Sequence, residues 1–247
     1  MEKTMSKSLR SFATLFVIVY GLTLAVSLQR KKPEVVFNTP PEAQTQTNRT
    51  RQYDAEPLPS GVLIEVPFTS QAPFADWGDP YQEACEEASL IMVHAFLEGE
   101  SLTQEEADLR IRTLTNWEKE HGYPEDISLE DVAKVARTYY GYDSIIHENP
   151  SVEDMQSLLS QGTPVIVPAA GRELGNPYFS GEGPWYHMLV LRGYDKHSFI
   201  TNDPGTRRGE GYKYRYDTLI GAIHDWTGIK EDITSGSPKV LIIKKNR

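Results

Sequence analysis

The stretch VPFTSQAPFADWGDPYQEACEEASLIMVHAF, residues 66 to 96, holds the chain's only cysteine, Cys85. Prolines and a glycine break its first half, which reads as a loop. Asp79-Pro80 is a helix-entry signal, an N-cap candidate followed by a proline tolerated in a first turn. The helix this predicts runs to about Glu98, with Gly99 as its stop. Ala84, Ala88, Ile91 and Ala95 form one apolar line at helical spacing, and Cys85, Ser89, Met92 and Phe96 form the adjacent one. Small residues on both lines let such a helix lie deep in a fold. At the start of a helix, unpaired N–H groups and the helix dipole favour a thiolate. A lone cysteine is nevertheless more often a small buried hydrophobe, so the rest of the chain decides its standing.

Downstream, Thr103 with Glu106 forms a capping box for a helix to about Glu120. Ser128 with Asp131 opens a helix ending near Gly141, and Ser151 with Asp154 opens another ending at Gly162. His121 and His147 sit near loop ends and read as inert. Upstream, Val62 to Phe68 is β-rich. From Pro164 the pattern turns to strands: PVIVPAA, then a long Gly-, Pro- and aromatic-rich loop, then His187 to Tyr194. A turn at Asp195-Lys196-His197 leads to Ser198 to Asp203, followed by a strand at Tyr212 to Tyr216. A short helix over Asp217 to Trp226 and a last strand, Val240 to Lys244, complete the chain. A helix-rich half followed by a mostly antiparallel sheet indicates an α+β domain.

The N-terminus reads differently. No charge occurs between Ser11 and Gln29, and SFATLFVIVYGLTLAVSL is apolar enough to enter a bilayer, barely spanning it as a helix. A membrane anchor is the favoured reading, with a signal peptide cleaved near Ala25-Val26-Ser27 as the alternative. Residues 33–60 are Pro-rich and polar and read as a disordered tether, leaving 61–247 as the globular domain. This order predicts an extracytoplasmic domain, tethered or, if the segment is cleaved, secreted. Residues 1–32 carry six basic side chains and one acid, which leaves −15 for the rest of a chain whose formal net charge is −10. So acidic a domain is not expected to bind nucleic acid. One cysteine excludes internal disulfides. No metal is expected, since HExxH, paired-cysteine and EF-hand patterns are missing, and no cofactor is expected either.

The hairpin supplies partners for the thiol. If its turn centres on Asp195 or Lys196, His187 faces Asp203 or lies one step off it, on one face of the sheet. The aspartate then fixes the imidazole and leaves the other ring nitrogen to deprotonate a thiol. Asp195 is a weaker rival, because turn aspartates usually bond their own turn. Cys85, His187 and Asp203 thus supply nucleophile, base and orienter. Gln71 is the candidate donor to an oxyanion, working with the backbone N–H of Cys85. Glu83, Glu86 and Glu87 work against the thiolate.

VPFTSQ, EACEEASLIMV, GRELGNPYF, YHMLVLRGYD and NDPGT, in that order, resemble the C39-like peptidase family of the papain-like cysteine peptidase superfamily, over roughly Val66 to Tyr216. The resemblance implies a papain-like fold, with the cysteine on a central N-terminal helix packed on an antiparallel sheet that carries His187 and Asp203. It also implies the roles just given to Cys85, His187, Asp203 and Gln71. Glu86 stands where transporter-fused members of the family carry glycine, and no ATP-binding motif is present, so leader processing is not expected.

The expected function is a membrane-tethered or exported cysteine hydrolase that cleaves a peptide or amide bond through a thioester. Trp77, Tyr178, Trp185 and Tyr186 are candidate substrate-binding aromatics. A non-catalytic peptide- or glycan-binding module using those aromatics is the alternative, as is an acyl transferase working through the same thioester.

Overall fold

Nine consecutive residues, Tyr186–Tyr194, are all buried and form the strand around which the domain is built, β4. The computed structural model describes residues 57–246. The apolar 11–29 segment and nearly all of the 33–60 tether lie outside the described residues. No helix among the described residues is long and apolar enough to cross a membrane.

In chain order the strands are β1 (Val62–Leu63), β2 (Asp143–Glu148), β3 (Val165–Ala170), β4, β5 (Ser198–Asn202), β6 (Glu210–Arg215) and β7 (Lys239–Lys244). The helices are α1 (Cys85–Glu98), α2 (Gln104–Glu120), α3 (Leu129–Tyr140), α4 (Val152–Ser160) and α5 (Tyr216–Ala222). All strand pairs are antiparallel, in the order β2-β7-β3-β4-β5-β6, with β1 pairing β4 separately. This is the expected α+β architecture. β3 and β4 read as apolar runs because every residue in both is buried.

Helix α1 packs against β4, as its small-residue lines suggested. Ten of its fourteen residues are buried, among them Leu90, Ile91, Met92 and Val93. Each large apolar side chain so buried contributes about 1.5–3 kcal/mol. The three expected caps are present: Thr103 and Ser151 form full capping boxes, and the Ser128 hydroxyl accepts the Asp131 N–H.

Several boundaries differ from expectation. The β-rich 62–68 segment pairs as a strand only at Val62–Leu63. The last predicted helix stops at Ala222, and a short 3₁₀ turn at Lys230–Ser235 follows before β7. β2, which carries His147, was not foreseen; it pairs with β7 along an alternating pattern too short to stand out. The largest difference concerns α1. Tyr81–Glu83 form a separate 3₁₀ turn, and Ala84 leaves helical geometry at φ −96°, ψ 32°. The carbonyls of Tyr81 and Gln82 are taken by the Gln71 side chain, at 2.9 and 3.0 Å. The Tyr81 carbonyl also accepts the Ala84 N–H, closing the 3₁₀ turn, and α1 begins at Cys85 itself.

Candidate active site

Because α1 starts at Cys85, its first main-chain bond is Ala88 N–H to Ala84 O (3.1 Å), and the Cys85 N–H has no intrahelical acceptor. The thiol therefore sits at the positive end of the helix dipole. Its side chain lines a cleft of about 640 Å³ together with Gln71, Trp77, Tyr178, Trp185, Tyr186 and His187. Every residue expected at the site except Asp203 reaches this cleft. Asp203 lies directly behind His187.

His187 Nε2 is 2.7 Å from Asp203 Oδ1, with 1% and 0% of the two side chains exposed. The pair is thus shielded from water, where a charge-assisted bond is strong. Its register is the one expected for a turn centred on Lys196, not the direct opposition of a turn centred on Asp195. Val190 faces Asn202 and Leu191 faces Thr201, so extending the ladder sets Asp203 against Leu189, two residues from His187. The parity is the same, so both side chains still point to one face. Nearer the turn Gly193 faces Ile200 and Tyr194 faces Phe199, one residue out of phase, and the bulge at Arg192 restores the phase that puts His187 and Asp203 on one face. Asp195 behaves as a turn residue, accepting the N–H groups of His197 and Ser198.

Two partners of Asp203 were missed in the sequence. Tyr214 donates its hydroxyl to Oδ2 at 2.5 Å, and Asn176 donates Nδ2 to the same oxygen at 3.0 Å. Gly205 N–H bonds Oδ1 at 3.0 Å. Burial alone would raise the Asp203 carboxyl, but the His187 charge and these bonds hold it below its ordinary value. Asn176 lies in the long loop before β4 and Tyr214 on the strand beyond β5, so only the fold brings them together.

Gly205 also fixes the imidazole from its other side. A Cβ there would lie 2.8 Å from His187 Cε1 and 2.9 Å from Phe179 Cε1, so glycine alone lets the chain pass this close. Phe179 meets the imidazole edge-on, with ring centroids 5.2 Å apart. Opposite His187 on β3 stands Ala169, whose small side chain leaves space for the ring.

The thiol and Gln71 depart from the expected arrangement. Cys85 Sγ donates to Glu86 Oε2 at 3.0 Å instead of to His187. Burial pushes the thiol well above its ordinary value, and the charges of Glu86, Glu87 and Asp126 push it further. Glu83, expected to act on the thiol, is instead tied to Lys230 at 3.1 Å. Behind Cys85, Glu118 is pushed up to about 12, mainly by burial and then by Glu87. Gln71 spends both Nε2 hydrogens on the Tyr81 and Gln82 carbonyls, and its buried Oε1 has no partner. Flipping the amide would set oxygen against two carbonyl oxygens, so this orientation is firmly favoured. As placed, Gln71 clamps the turn before α1 and does not aim a donor at the thiol.

Of the four aromatics, Trp77 and Tyr178 are exposed at the cleft mouth and Trp185 is half-buried beneath the Arg172 guanidinium, 3.4 Å from its ring. Tyr186 belongs to the core, with its hydroxyl on Ile127 O at 3.1 Å. Among the described residues no group of three or more His, Cys, Asp or Glu side chains is placed to hold a metal ion.

The sequence matches the Peptidase_C39 like family over residues 63–241. The chain belongs to that family. None of the curated proteins matches it. Among solved structures it is similar to a protein from Bacillus anthracis described as a C39-like peptidase, at 16% identity and a TM-score of 0.50, covering 76% of this chain and 99% of that one. It is also similar to xylellain, a cysteine protease from Xylella fastidiosa, at 15% identity and a TM-score of 0.46, covering 77% and 88%. The family match and the Bacillus anthracis structure agree with the papain-like, cysteine-peptidase type of fold expected from the motifs.

Proposed function

We propose that this member of the Peptidase_C39 like family is a cysteine peptidase in which Cys85 is the nucleophile, His187 the base and Asp203 the orienter. The observation that carries this reading is the buried His187–Asp203 pair on the cleft that Cys85 enters from a helix N-terminus. With Nε2 committed to Asp203, the imidazole offers Nδ1 to the thiol. A rotation of the Cys85 side chain from Glu86 toward the cleft starts the reaction. The thiol proton passes to Nδ1 and sulfur attacks the peptide carbonyl. The Cys85 N–H, free of the helix ladder, is the available main-chain donor for the oxyanion. His187 then returns the proton to the leaving amine, and water hydrolyses the thioester with His187 again as base. Hydrolysis and acyl transfer share that thioester, and the released product distinguishes them.

The test is turnover of an internally quenched peptide library by the purified full-length protein, its Cys85→Ala form and its His187→Ala form. Turnover lost in both variants supports the reading. Turnover that survives Cys85→Ala overturns it. A binding-only role is the second reading, favoured by the protonated thiol bonded to Glu86. It predicts that Cys85→Ser keeps full peptide or glycan binding while no form turns a peptide over.

The uncharged 11–29 segment and the Pro-rich 33–60 stretch support a further part of the proposal, that the domain is tethered to a membrane on its extracytoplasmic side. Full-length protein released from membranes by carbonate wash would exclude the tether.

A further inference from the structure

Four charged side chains line the cleft: Glu83, Arg207, Arg208 and Lys230. Lys230 is already neutralised, with Nζ 3.1 Å from Glu83 and 3.2 Å from Asp126. Arg207 and Arg208 are exposed, and among the described residues neither has a carboxylate within ion-pairing distance. Their position is built, not incidental. Both ride on the turn that begins at Asp203, where Asp203 N–H bonds Gly209 O at 3.0 Å and Gly209 N–H bonds Thr206 O at 3.2 Å. Arg208 N–H bonds Thr206 Oγ1 at 3.2 Å, which fixes the backbone between them. The Arg208 guanidinium lies 4.9 Å over the Tyr178 ring, a cation–π placement that keeps it at the cleft mouth. Two uncompensated arginines thus leave the backbone of the same turn that positions Asp203, and the Arg208 side chain is held further by Tyr178. They stand out against a domain whose remaining charge is strongly negative.

We propose that this arginine pair makes the cleft selective for peptides bearing a carboxylate close to the scissile bond. The inference rests on the cysteine-peptidase reading. A guanidinium presents a planar fork of donors that matches a carboxylate in two-point contact. An acidic domain repels such a substrate at long range, so the local positive field at the mouth is what admits it. The carboxylate can be an Asp or Glu side chain or the free C-terminus of a peptide, and the test separates the two.

The full-length protein is assayed with three matched sets of quenched peptides: Asp or Glu at single positions with a blocked C-terminus, neutral side chains with a free C-terminal carboxylate, and neutral peptides blocked at both ends. Acidic or free-carboxylate peptides are expected to exceed the blocked neutral set about tenfold in kcat/KM, as two exposed charge contacts allow. That excess should fall to about onefold in Arg207→Gln/Arg208→Gln, while turnover of blocked neutral peptides stays within about twofold. Arg208→Glu should reverse the preference toward lysine-containing peptides. Raised salt should erase the excess, since the arginines are exposed. Thermal midpoints of the variants check folding. Equal rates on all three sets, or an excess that survives the double substitution, overturns the inference and leaves the peptidase reading intact. If no peptide is turned over, the peptidase reading fails. The same peptides titrated onto the Cys85→Ala protein by fluorescence polarisation then decide the inference, because carboxylate-selective binding lost in the double variant supports it and unselective binding overturns it.

Discussion

Replacing Glu86 by glutamine should turn a resting thiol into a reactive one. Glu86 Oε2 is 3.0 Å from Cys85 Sγ, and its Oε1 accepts the Ile127 N–H at 3.2 Å. At that separation, with an effective dielectric of about 20, a full charge on Glu86 opposes a thiolate by about 5 kcal/mol. The observable effect is smaller. Burial and the neighbouring Glu87 push Glu86 itself well up, so it takes up part of the proton that the thiol gives away. We expect about 2 kcal/mol to remain, or about thirtyfold more thiolate at neutral pH. Glutamine keeps the volume. With its carbonyl on the Ile127 N–H, it turns an N–H toward sulfur and donates to the thiolate that Glu86 repels. The assay is the iodoacetamide rate across about pH 5 to pH 10. Cys85 is the only cysteine, so a single rate is read. Wild type should alkylate slowly until high pH, whereas Glu86→Gln should react faster at neutral pH with its profile moved to lower pH. A variant that is folded by circular dichroism and alkylates at the wild-type rate, or slower, refutes the reasoning.

Asp203→Asn leaves His187 Nε2 facing an amide and should lower turnover by about 10³- to 10⁴-fold, read as kcat on any cleaved peptide. Because the Asp203 carboxyl is held below its ordinary value, its contribution to stability is present above about pH 4 and is lost as pH falls through the lower folded value. The urea midpoint should therefore drop more between neutral and acidic pH in wild type than in Asp203→Asn. Gly205→Ala forces a methyl group to 2.8 Å from His187 Cε1. It should cost about tenfold or more in turnover, with about 1–3 kcal/mol of stability lost by overpacking, read together from kinetics and denaturation. Gln71→Leu strips the Tyr81 and Gln82 carbonyls of their donor and should cost about 1–3 kcal/mol in urea unfolding. An unchanged midpoint would show that Gln71 does not hold the turn.

Much of the site was legible because chemistry and periodicity coincide in the chain. Cys85 stands out as a single thiol where a broken loop meets small-residue lines of helical spacing. The hairpin of β4 and β5 gave the correct face for His187 and Asp203 whether the turn centres on Asp195 or Lys196, because a shift of two residues preserves the face. The arrest of α1 at Cys85 could not be read in the same way. It accompanies a contact in which Gln71, ten residues before Tyr81, captures two carbonyls, and local helix signals carry no trace of that contact.

The sequence by itself determined the α+β layout, the three capped helices, the buried central strands and the residue types that could carry thiol chemistry. These follow from local propensity and hydrophobic period, which act over a few residues. Only the tertiary structure decided which groups act on one another. It set Tyr214 and Asn176 behind Asp203, turned the Cys85 thiol onto Glu86, added Asp126 to its surroundings, and cancelled Lys230 while leaving Arg207 and Arg208 free of acidic partners among the described residues. Electrostatic and hydrogen-bond energies depend on distance in space and on burial, and separation along the chain fixes neither.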